Sequence, residues 1–223
     1  YNIKFIIMSA TLPKIGRLEI LKKYDLEFIY LIDNAKERYF QNPNFAHRVS
    51  FNLDLLKVKE LYLDILVEKV LTSSREYSFK EFGEAKPKGS VYTIIEFIFK
   101  QTATEFYHLI KNNDFFDKIF VLSGTILDHR RRCIINYLKN KENRKKRILL
   151  ITTQVVEAGV DIDMDLGFKD KSLIDSDEQL AGRINRNVNK EGCTLYLFNY
   201  NNEKILYGKD KRYENTKMIS NDE

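Results

Sequence analysis

The sequence lacks a Gly-x-x-x-x-Gly-Lys-Ser/Thr loop, because none of its nine glycines stands in that pattern. The chain therefore offers no cradle for the β- and γ-phosphates of a nucleotide. Cys-x-x-Cys, His-Glu-x-x-His and Gly-x-Ser-x-Gly are also absent, which excludes the common zinc and serine-hydrolase motifs. The histidines His47, His108 and His129 are scattered without metal or triad spacing, so surface or packing roles are favoured.

Long apolar runs and strong charge are missing too. No run approaches the roughly 18 residues that a membrane-spanning helix needs, so a membrane protein is not expected. The two cysteines, Cys133 and Cys193, require no disulfide, which fits a reducing cytoplasm. A net charge of +5 in 223 residues is compatible with nucleic acid but is too small to argue for it. The composition predicts an ordinary soluble globular protein with one large or two small domains.

Short apolar runs alternate with amphipathic segments along the chain. Strands are predicted at 4–8, 28–32, 49–53, 91–99, 118–122, 148–152 and 193–199. Helices are predicted at 15–24, 55–71, 103–111, 128–139 and 176–185. The polar segment 72–90 is interpreted as a loop or surface hairpin. The alternation of strands and helices indicates a parallel α/β sheet with helices on both faces.

Polar clusters follow several of these strands. Because ligands of such sheets gather at the carboxyl ends of the strands, the clusters at 9–11, 123–125, 152–161 and 172–178 are predicted to face a ligand from that edge. The basic run at 144–147 precedes a strand and is therefore predicted to lie on the opposite edge as a solvated turn. The most visibly basic segment is thus not predicted to be functional.

Two arginines in the stretch 152–186 suggest an anion site. Gln179, Arg183 and Arg186 are spaced by four and three residues, which predicts one face of a helix. Two guanidiniums on one turn repel each other, so an anion is expected between them, and a polyphosphate matches their planar donor forks. The alternative is a solvated basic helix.

The same stretch begins with donors and a glycine. The run at 152–154 (TTQ) can offer the hydroxyls of Thr152 and Thr153 and the amide of Gln154 to a phosphodiester backbone, although threonines at a strand end also cap turns. Gly159 followed by Asp161 allows a tight turn with a carboxylate that accepts from ribose hydroxyls.

The alternation Asp161-x-Asp163-x-Asp165 resembles part of a metal loop. A calcium-binding EF-hand loop requires glycine at its sixth position and glutamate at its twelfth, where this chain has Leu166 and Ser172. An EF-hand is therefore rejected, and no metal ligand is predicted.

Three segments together resemble the second half of a superfamily 2 helicase core. The segment at 8–13 (MSATLP) resembles the Ser-Ala-Thr motif that ends the first RecA-like lobe. The segment at 152–163 resembles the fifth helicase motif, and the segment at 179–186 (QLAGRINR) resembles the sixth. The residues of these three segments are most similar to those of the CRISPR-associated helicase-nuclease of type I systems. The resemblance covers nearly the whole chain.

The resemblance implies an organisation as well as a fold. The fold expected is a RecA-like parallel sheet with helices on both faces. Residues 1–35 would be the trailing strand and helix of the first lobe plus a linker, and residues 36–223 the second helicase lobe. The phosphate-binding loop, the acidic magnesium motif and the His-Asp nuclease domain would precede Tyr1. The chain is accordingly interpreted as a fragment, or one subunit of a split protein, that is inactive as an ATPase alone.

The resemblance also implies roles for single positions. Arg186 matches the arginine finger and Arg183 its companion, while Gln179 matches a nucleotide-contacting or lobe-bridging position. Gly159 and Asp161 match the nucleotide side of the fifth motif. Positions that match contacts to the nucleic-acid strand are Thr153, Gln154, Gly124 and Arg131. Positions that match the motif coupling hydrolysis to lobe movement are Ser9 and Thr11.

The function implied is that of an ATP-dependent helicase or translocase on single-stranded DNA in CRISPR interference, an antiviral defence. ATP with Mg²⁺ is the implied cofactor, with magnesium ligands expected in the first lobe. Implied partners are single-stranded DNA, the first RecA-like lobe, the His-Asp nuclease domain and the CRISPR surveillance complex, all in the cytoplasm. The alternatives are a lobe of another superfamily 2 DNA or RNA helicase, and a non-catalytic RecA-like module that docks nucleic acid or protein.

Overall fold

Six strands form one all-parallel sheet in the computed structural model, which describes residues 47–156 and 160–201. The predicted parallel α/β sheet is therefore confirmed. All described residues belong to one compact unit, Pro43–Glu223. The strands are β1 (Ser50–Asn52), β2 (Val91–Glu96), β3 (Lys118–Leu122), β4 (Arg147–Thr152), β5 (Leu166–Asp170) and β6 (Thr194–Phe198), in the order β1-β6-β5-β2-β4-β3.

Helices connect most of these strands. Because parallel pairing forces every connection to return from the carboxyl edge of the sheet to its amino edge, the helices run back across the faces. The right-handed crossover rule places α1 and α2 on one face and α3 and α4 on the other, and α1 and α2 do contact each other. The helices are α1 (Leu63–Ser78), α2 (Lys100–Ile110), α3 (Asp128–Lys139) and α4 (Ile174–Ala181), with short 3-10 turns η1 (Asp54–Lys57), η2 (Lys141–Lys145) and η3 (Gln154–Val156).

The core lies around the two central strands. Every residue of β2 is buried, and in β4 only Arg147 is partly exposed. Phe97 packs against Phe106 and Phe198, with ring centroids 5.3 and 5.7 Å apart. Burial of apolar area on this scale is the main force that holds such a sheet to its helices. Among the described residues no helix is both long and apolar enough to cross a membrane.

The prediction for 55–71 was partly wrong. The apolar period there comes from two elements, η1 and α1, which are separated by an extended segment that begins at Val58. Leu55 and Leu66 are both buried in the same core, so separate elements produced one apparent helical stripe. The segment 72–90, predicted as a loop or hairpin, instead begins with the last two turns of α1.

Strand β5 was not predicted, although it lies between β6 and β2 and is buried throughout. Gly167 and two charged residues interrupt its apolar pattern. A Cβ at Gly167 would collide with the side chains of Ile184 and Leu195, so close packing explains the glycine. Lys169 is neutralised by an ion pair with Glu96 of β2. A partner from another strand thus allows charge in a central position.

The strand and helix predictions at 4–8, 15–24 and 28–32 lie outside the described residues. The division into 1–35 and 36–223 stays a prediction.

Candidate nucleotide and nucleic-acid site

Four residues that were predicted to contact nucleic acid meet at the carboxyl ends of β3 and β4. The backbone N–H of Thr153 donates to the carbonyl of Leu122 at 3.3 Å, so the chain leaves β4 beside the end of β3. Nη2 of Arg131 donates to the carbonyl of Val155 at 2.9 Å. The structure therefore brings these residues to one edge, and we refer to them as the strand-end cluster: Gly124, Arg131, Thr153 and Gln154.

The strand-end cluster leaves small and polar groups at the surface. Gly124 is exposed, and a Cβ there would lie 3.6 Å from Cγ1 of Val155, so a larger side chain would cover η3. Thr153 and Gln154 are partly exposed. The prediction for Thr152 is wrong, because its hydroxyl is buried and donates to the carbonyl of Leu122 at 2.8 Å. An uncharged hydroxyl, an amide and free space suit contacts to a phosphodiester backbone.

The predicted helical face that joined Gln179 to both arginines is wrong. Helix α4 ends at Ala181, so Gln179 lies in its last turn while Arg183 and Arg186 follow it. Ile184 forms a parallel bridge with Met164, just before β5, and this pairing draws the chain to the sheet and out of the helix. We call the segment 182–187 the arginine turn.

Asn185 shapes the arginine turn from inside the protein. Its side chain is 1% exposed, and its φ of 45° lies in the left-handed region that asparagine tolerates better than most residues. Nδ2 donates to the carbonyls of Arg48 and Lys190 at 3.0 and 2.7 Å. Oδ1 accepts from the N–H groups of Asn189 and Lys190 at 3.2 and 3.1 Å. Four hydrogen bonds thus offset the free-energy cost of the positive φ at Asn185, and this conformation separates Arg183 from Arg186.

The alternating aspartates hold this turn and its surroundings. Asp163 accepts from the N–H of Arg186 at 2.9 Å and from Nζ of Lys190 at 2.8 Å. Asp165 is fully buried and pairs with Lys190 at 2.9 Å and with Arg144. Within the described part of the chain no three His, Cys, Asp or Glu side chains are grouped so that they could hold a metal. The aspartates are therefore engaged by cations of the protein.

Asp161 contacts the side chain of the predicted arginine finger. Its Oδ1 lies 3.0 Å from Nε of Arg186, and its Oδ2 lies 3.0 Å from Nζ of Lys139 at the end of α3. The hydrogen bond from Lys139 is the main reason that the pKa of Asp161 is lowered, and the charges of Arg186 and Arg183 add to it. Asp161 was predicted at the carboxyl edge of the sheet. That prediction is wrong, because Asp161 pairs with the end of α3, which lies at the amino edge.

Arg183 is the more enclosed of the two arginines. Its Nε donates to the carbonyl of Val156 at 3.2 Å. Burial is the largest cause of a lowered pKa for its guanidinium; the charges of Arg186 and Arg48 lower that pKa further, and Asp161 opposes them. Arg183 is therefore held against η3 in a partly buried position.

The 3-10 turn η3 connects the strand-end cluster to the arginine turn. It lies in the crossover between β4 and β5, which must pass from one edge of the sheet to the other. Its consecutive carbonyls at Val155 and Val156 accept from Arg131 and Arg183 respectively. Any displacement of η3 therefore changes the surroundings of both groups at once.

The segment 172–178, predicted as a loop that faces a ligand, lies mostly in α4, and its serine hydroxyls are buried. Ser172 and Ser176 are buried, with their hydroxyls 3.1 Å apart. Ser176 also accepts from Nζ of Lys169 at 2.8 Å. The serine hydroxyls of this segment thus provide hydrogen bonds for the buried Lys169–Glu96 pair.

The basic run at 144–147 is on the predicted amino edge, but it is not simply a solvated turn. Arg144 is 12% exposed in its side chain, pairs with the buried Asp165, and lies over the ring of Tyr92 with its Cζ 4.2 Å from the centroid. Burial raises the pKa of Asp165, but the charges of Arg144 and Lys190 and the N–H of Tyr92 outweigh it, so the pKa is lowered overall.

Three predicted site residues, Ser9, Thr11 and Gly159, lie outside the described residues.

Sequence reasoning missed several residues that build the site. Asn185 stands inside the sixth motif and carried a weak signal, since asparagine is enriched at positive φ. Lys190 and Arg48 lie beyond the motifs and had no local signal; only the fold brings them to the turn.

Comparisons with known proteins show what the chain is similar to. Residues 90–189 match the family model described as CRISPR-associated nuclease/helicase Cas3, C-terminal. A curated relative, the CRISPR-associated nuclease/helicase Cas3 of Methanothermobacter thermautotrophicus, is 33% identical over 87 residues, which cover 39% of this chain and 10% of the relative. The suspected resemblance to the CRISPR-associated helicase-nuclease is thus confirmed, for about a tenth of that protein's length.

Solved structures show the same fold. The structure of Cas3 from T. fusca with ADP superposes with a TM-score of 0.53 at 20% identity, covering 71% of this chain and 20% of that one. The structure of Dbp5 L327V from S. cerevisiae, bound to RNA and ADP BeF3, gives a TM-score of 0.55 at 16% identity, covering 92% of this chain and 47% of that one. The RecA-like class predicted from the sequence is therefore confirmed.

Proposed function

We propose, from the Cas3-like C-terminal helicase domain at residues 90–189, that the chain is the second motor lobe of an ATP-dependent translocase on single-stranded DNA in CRISPR interference. The chain has no glycine-rich phosphate loop, so the main cradle for ATP and its Mg²⁺ comes from another lobe and this chain alone does not hydrolyse ATP. The surveillance complex and the nuclease domain are its proposed partners.

The observation that carries the proposal is the arginine turn. Arg183 and Arg186 lie in a turn that a buried asparagine holds, with Asp161 on the side chain of Arg186. Preorganised guanidiniums stabilise charge that develops on a transferred phosphoryl group, without reorganising when the reaction occurs. Arg186 acts as the finger, Arg183 binds the phosphates beside it, and Asp161 keeps Nε of Arg186 oriented. Gln179 and Gly159 belong to the nucleotide side of the same wall.

Nucleic-acid contact falls to the strand-end cluster. Thr153 and Gln154 donate to phosphates of the strand, Gly124 lets the backbone approach, and Arg131 holds η3 in place through the carbonyl of Val155. Because η3 also binds Arg183, strand binding and nucleotide binding act on one segment. Ser9 and Thr11 would pass this movement to the first lobe.

The substitution Arg186→Ala in the complete helicase tests the arginine assignment. We expect DNA-stimulated ATP hydrolysis to fall by about a thousandfold or more, while affinity for single-stranded DNA changes by no more than about twofold. Arg132→Ala is the matched control, because Arg132 is an exposed arginine whose partner is Asp128. Hydrolysis by Arg186→Ala at the wild-type rate would rule out the finger.

The salt dependence of DNA binding by this chain alone tests the proposed contacts between the strand-end cluster and single-stranded DNA. Binding of an oligodeoxythymidine strand should weaken steadily as salt rises, because phosphate contacts release counterions. Affinity that does not change with salt would contradict a groove that follows the phosphate backbone.

A further inference from the structure

The outer edge of β3 is open among the strands that the structure describes. β3 ends the sheet on one side, as β1 does on the other. β1 is short, and two of its three residues are exposed. β3 is longer, and three consecutive apolar residues at its centre, Ile119, Phe120 and Val121, are only partly buried. An edge strand presents N–H and C=O groups that no neighbouring strand binds, so an apolar one is a surface on which another extended segment can pair.

A cavity of about 610 Å³ runs along this edge of the sheet. The ring of Phe120 contacts that of Tyr137 in α3, with centroids 5.2 Å apart, so Phe120 points to the α3 face. Because side chains alternate along a strand, Ile119 and Val121 point to the α2 face. Side chains from both faces line the cavity, which therefore passes around the edge of β3 between the two helices. We call it the edge groove, and its apolar lining includes Tyr107, Ile119, Phe120, Val121, Ile134 and Tyr137.

One arginine without a partner lies in this apolar surface. Helix α3 carries three consecutive arginines, of which Arg131 donates to the carbonyl of Val155 and Arg132 pairs with Asp128. Arg130 is exposed, lines the edge groove, and has no hydrogen bond or ion pair through its side chain with any described residue. A guanidinium beside an apolar groove favours an occupant that carries a carboxylate.

We propose that the edge groove docks an extended segment of a partner protein, which pairs with β3 and places apolar side chains in the groove and a carboxylate on Arg130. Backbone hydrogen bonds to β3 supply affinity, and the groove with Arg130 supplies the preference for apolar residues beside an acidic one. A nucleic-acid strand is not favoured, because a phosphodiester backbone has no N–H groups for the carbonyls of β3. The inference adds a binding surface to the proposed function and does not depend on it.

Selection of random ten-residue peptides from a display library on the 223-residue chain tests this inference. We expect enrichment of sequences in which apolar residues accompany Asp or Glu. The most enriched sequence, made as a fluorescein-labelled peptide, should bind with a Kd of about 10 μM in fluorescence anisotropy. If no sequence of this kind is enriched, the inference is wrong.

Cys133 allows the groove to be closed by a chemical reaction. It lines the groove and is exposed, whereas the other cysteine of the chain, Cys193, is buried. Alkylation with N-ethylmaleimide should therefore modify Cys133 and weaken binding of the peptide by about tenfold or more. Cys133→Ser, treated in the same way, is the matched control and should keep the affinity of the untreated wild type. If alkylation of the wild type leaves the affinity unchanged, the peptide binds elsewhere and the inference is overturned.

Reversal of one charge tests the role of Arg130. Arg130→Glu should weaken the acidic peptide by about tenfold, and a peptide with lysine in place of the acidic residue should recover the loss. Arg132→Glu changes the same charge on the same helix and should alter the affinity by no more than about twofold. Equal losses in the two variants would reflect the net charge of α3 and would exclude a carboxylate site at Arg130.

Methylation of the peptide backbone separates strand pairing from simple apolar contact. In an added strand, alternate residues direct their N–H groups towards β3. N-methylation at one set of alternate positions should therefore abolish binding, whereas N-methylation at the other set should leave the affinity within about threefold. Equal affinities of the two methylated peptides would contradict pairing with β3.

The same preparation would reveal two other occupants of the edge groove. We expect an unlabelled oligodeoxythymidine strand not to displace the peptide, and the chain to be a monomer in sedimentation equilibrium. Displacement by the oligonucleotide would assign the groove to nucleic acid, and a dimer that alkylation of Cys133 dissociates would assign it to a second copy of the chain. Either result overturns the inference and leaves the proposed function, which Arg186→Ala tests, as it stands.

Discussion

The strand-end cluster and the arginine turn reach their geometry by different routes. The first follows from strand pairing, because the ends of β3 and β4 are adjacent and the backbone N–H of Thr153 donates to Leu122. The second depends on buried polar groups, chiefly Asn185 at positive φ and Lys190, which is 5% exposed and bound to two aspartates. A loop made by pairing tolerates changes at its surface, whereas a turn built on buried polar bonds does not.

The difference also concerns charge. Arg131 is the charged member of the strand-end cluster, and its Nη2 donates to the carbonyl of Val155 in η3. In the arginine turn, Asp161 instead pairs with the guanidinium of Arg186, and Asp163 accepts from the backbone N–H of the same residue. Buried ionic networks are costly to break because removing one partner leaves the other without compensation. The turn should thus be the more fragile of the two regions.

The largest effect is expected from Asp165→Asn beneath the arginine turn. Loss of this charge leaves Arg144 and Lys190 without their shared buried counter-ion. We expect the free energy of unfolding to fall by about 4 kcal/mol in urea titrations. Asp128→Asn, in an exposed pair, should cost no more than about 0.5 kcal/mol. Equal losses in both variants would remove the basis of the comparison.

Asn185→Ala should come next. It removes four hydrogen bonds and places a residue with no polar side chain at a φ of 45°. The expected loss is about 3 kcal/mol of unfolding free energy, of which about 1 kcal/mol is backbone strain. Asn185→Gly separates the two contributions, because glycine relieves the strain without restoring the bonds. If alanine and glycine variants are equally stable, the strain contribution is absent.

A third effect depends on pH at the carboxyl edge. Burial raises the pKa of Asp170 from 3.8 to about 6, partly offset by hydrogen bonds from Tyr200 and Asn201. A carboxyl whose pKa is higher in the folded state binds a proton more readily there, so its contribution to stability increases as pH falls from about 7 to about 5. We expect a gain of roughly 1 to 2 kcal/mol across that window.

The corresponding control is Asp170→Asn, which does not titrate. The unfolding midpoint of this variant should change less between these pH values than that of the wild type. A wild-type midpoint that falls on acidification through this window, with no difference from the variant, would show that Asp170 does not titrate as described.

The smallest effect is expected at the strand-end cluster. Gln154→Ala should reduce affinity for single-stranded DNA by about threefold, the value of one surface hydrogen bond, with little change in stability. Gln101→Ala is the matched control, since Gln101 is an exposed glutamine on α2 that bonds to Glu105. The salt dependence should be the same in both, because no charge is removed. A loss of stability at Gln154 as large as that at Asn185 would mean that both regions are built alike.

Much of the fold followed from local patterns. The prediction of β3 at 118–122 and of α3 at 128–139 matches the structure at both ends. Their signals are complete in the sequence: an apolar run for the strand, and apolar residues at helical spacing for the helix. Strand β5 was not predicted because Gly167, Lys169 and Asp170 interrupt its apolar pattern. Each of the three contacts a residue that is distant in the sequence.

The site divides in the same way. Arg183, Arg186 and Asp161 were identified from residue types and motif order, and the structure brings them together. The supposed helical face was wrong because spacing alone cannot reveal that Ile184 pairs with Met164 and ends the helix early. The role of Arg144 was missed because its partner Asp165 lies 21 residues further along the chain, just before β5.

The amino-acid sequence by itself determined the class of fold, the parallel sheet and the identity of the arginines, since periodicity and motif order are local properties. Tertiary structure alone decided which charges meet. Asp161, Asp163 and Asp165 read alike in the sequence, yet the fold assigns them to Arg186, to the turn and to the core respectively. The free energy of a charge depends on burial and on partners, and both are set by strands and helices distant in the chain.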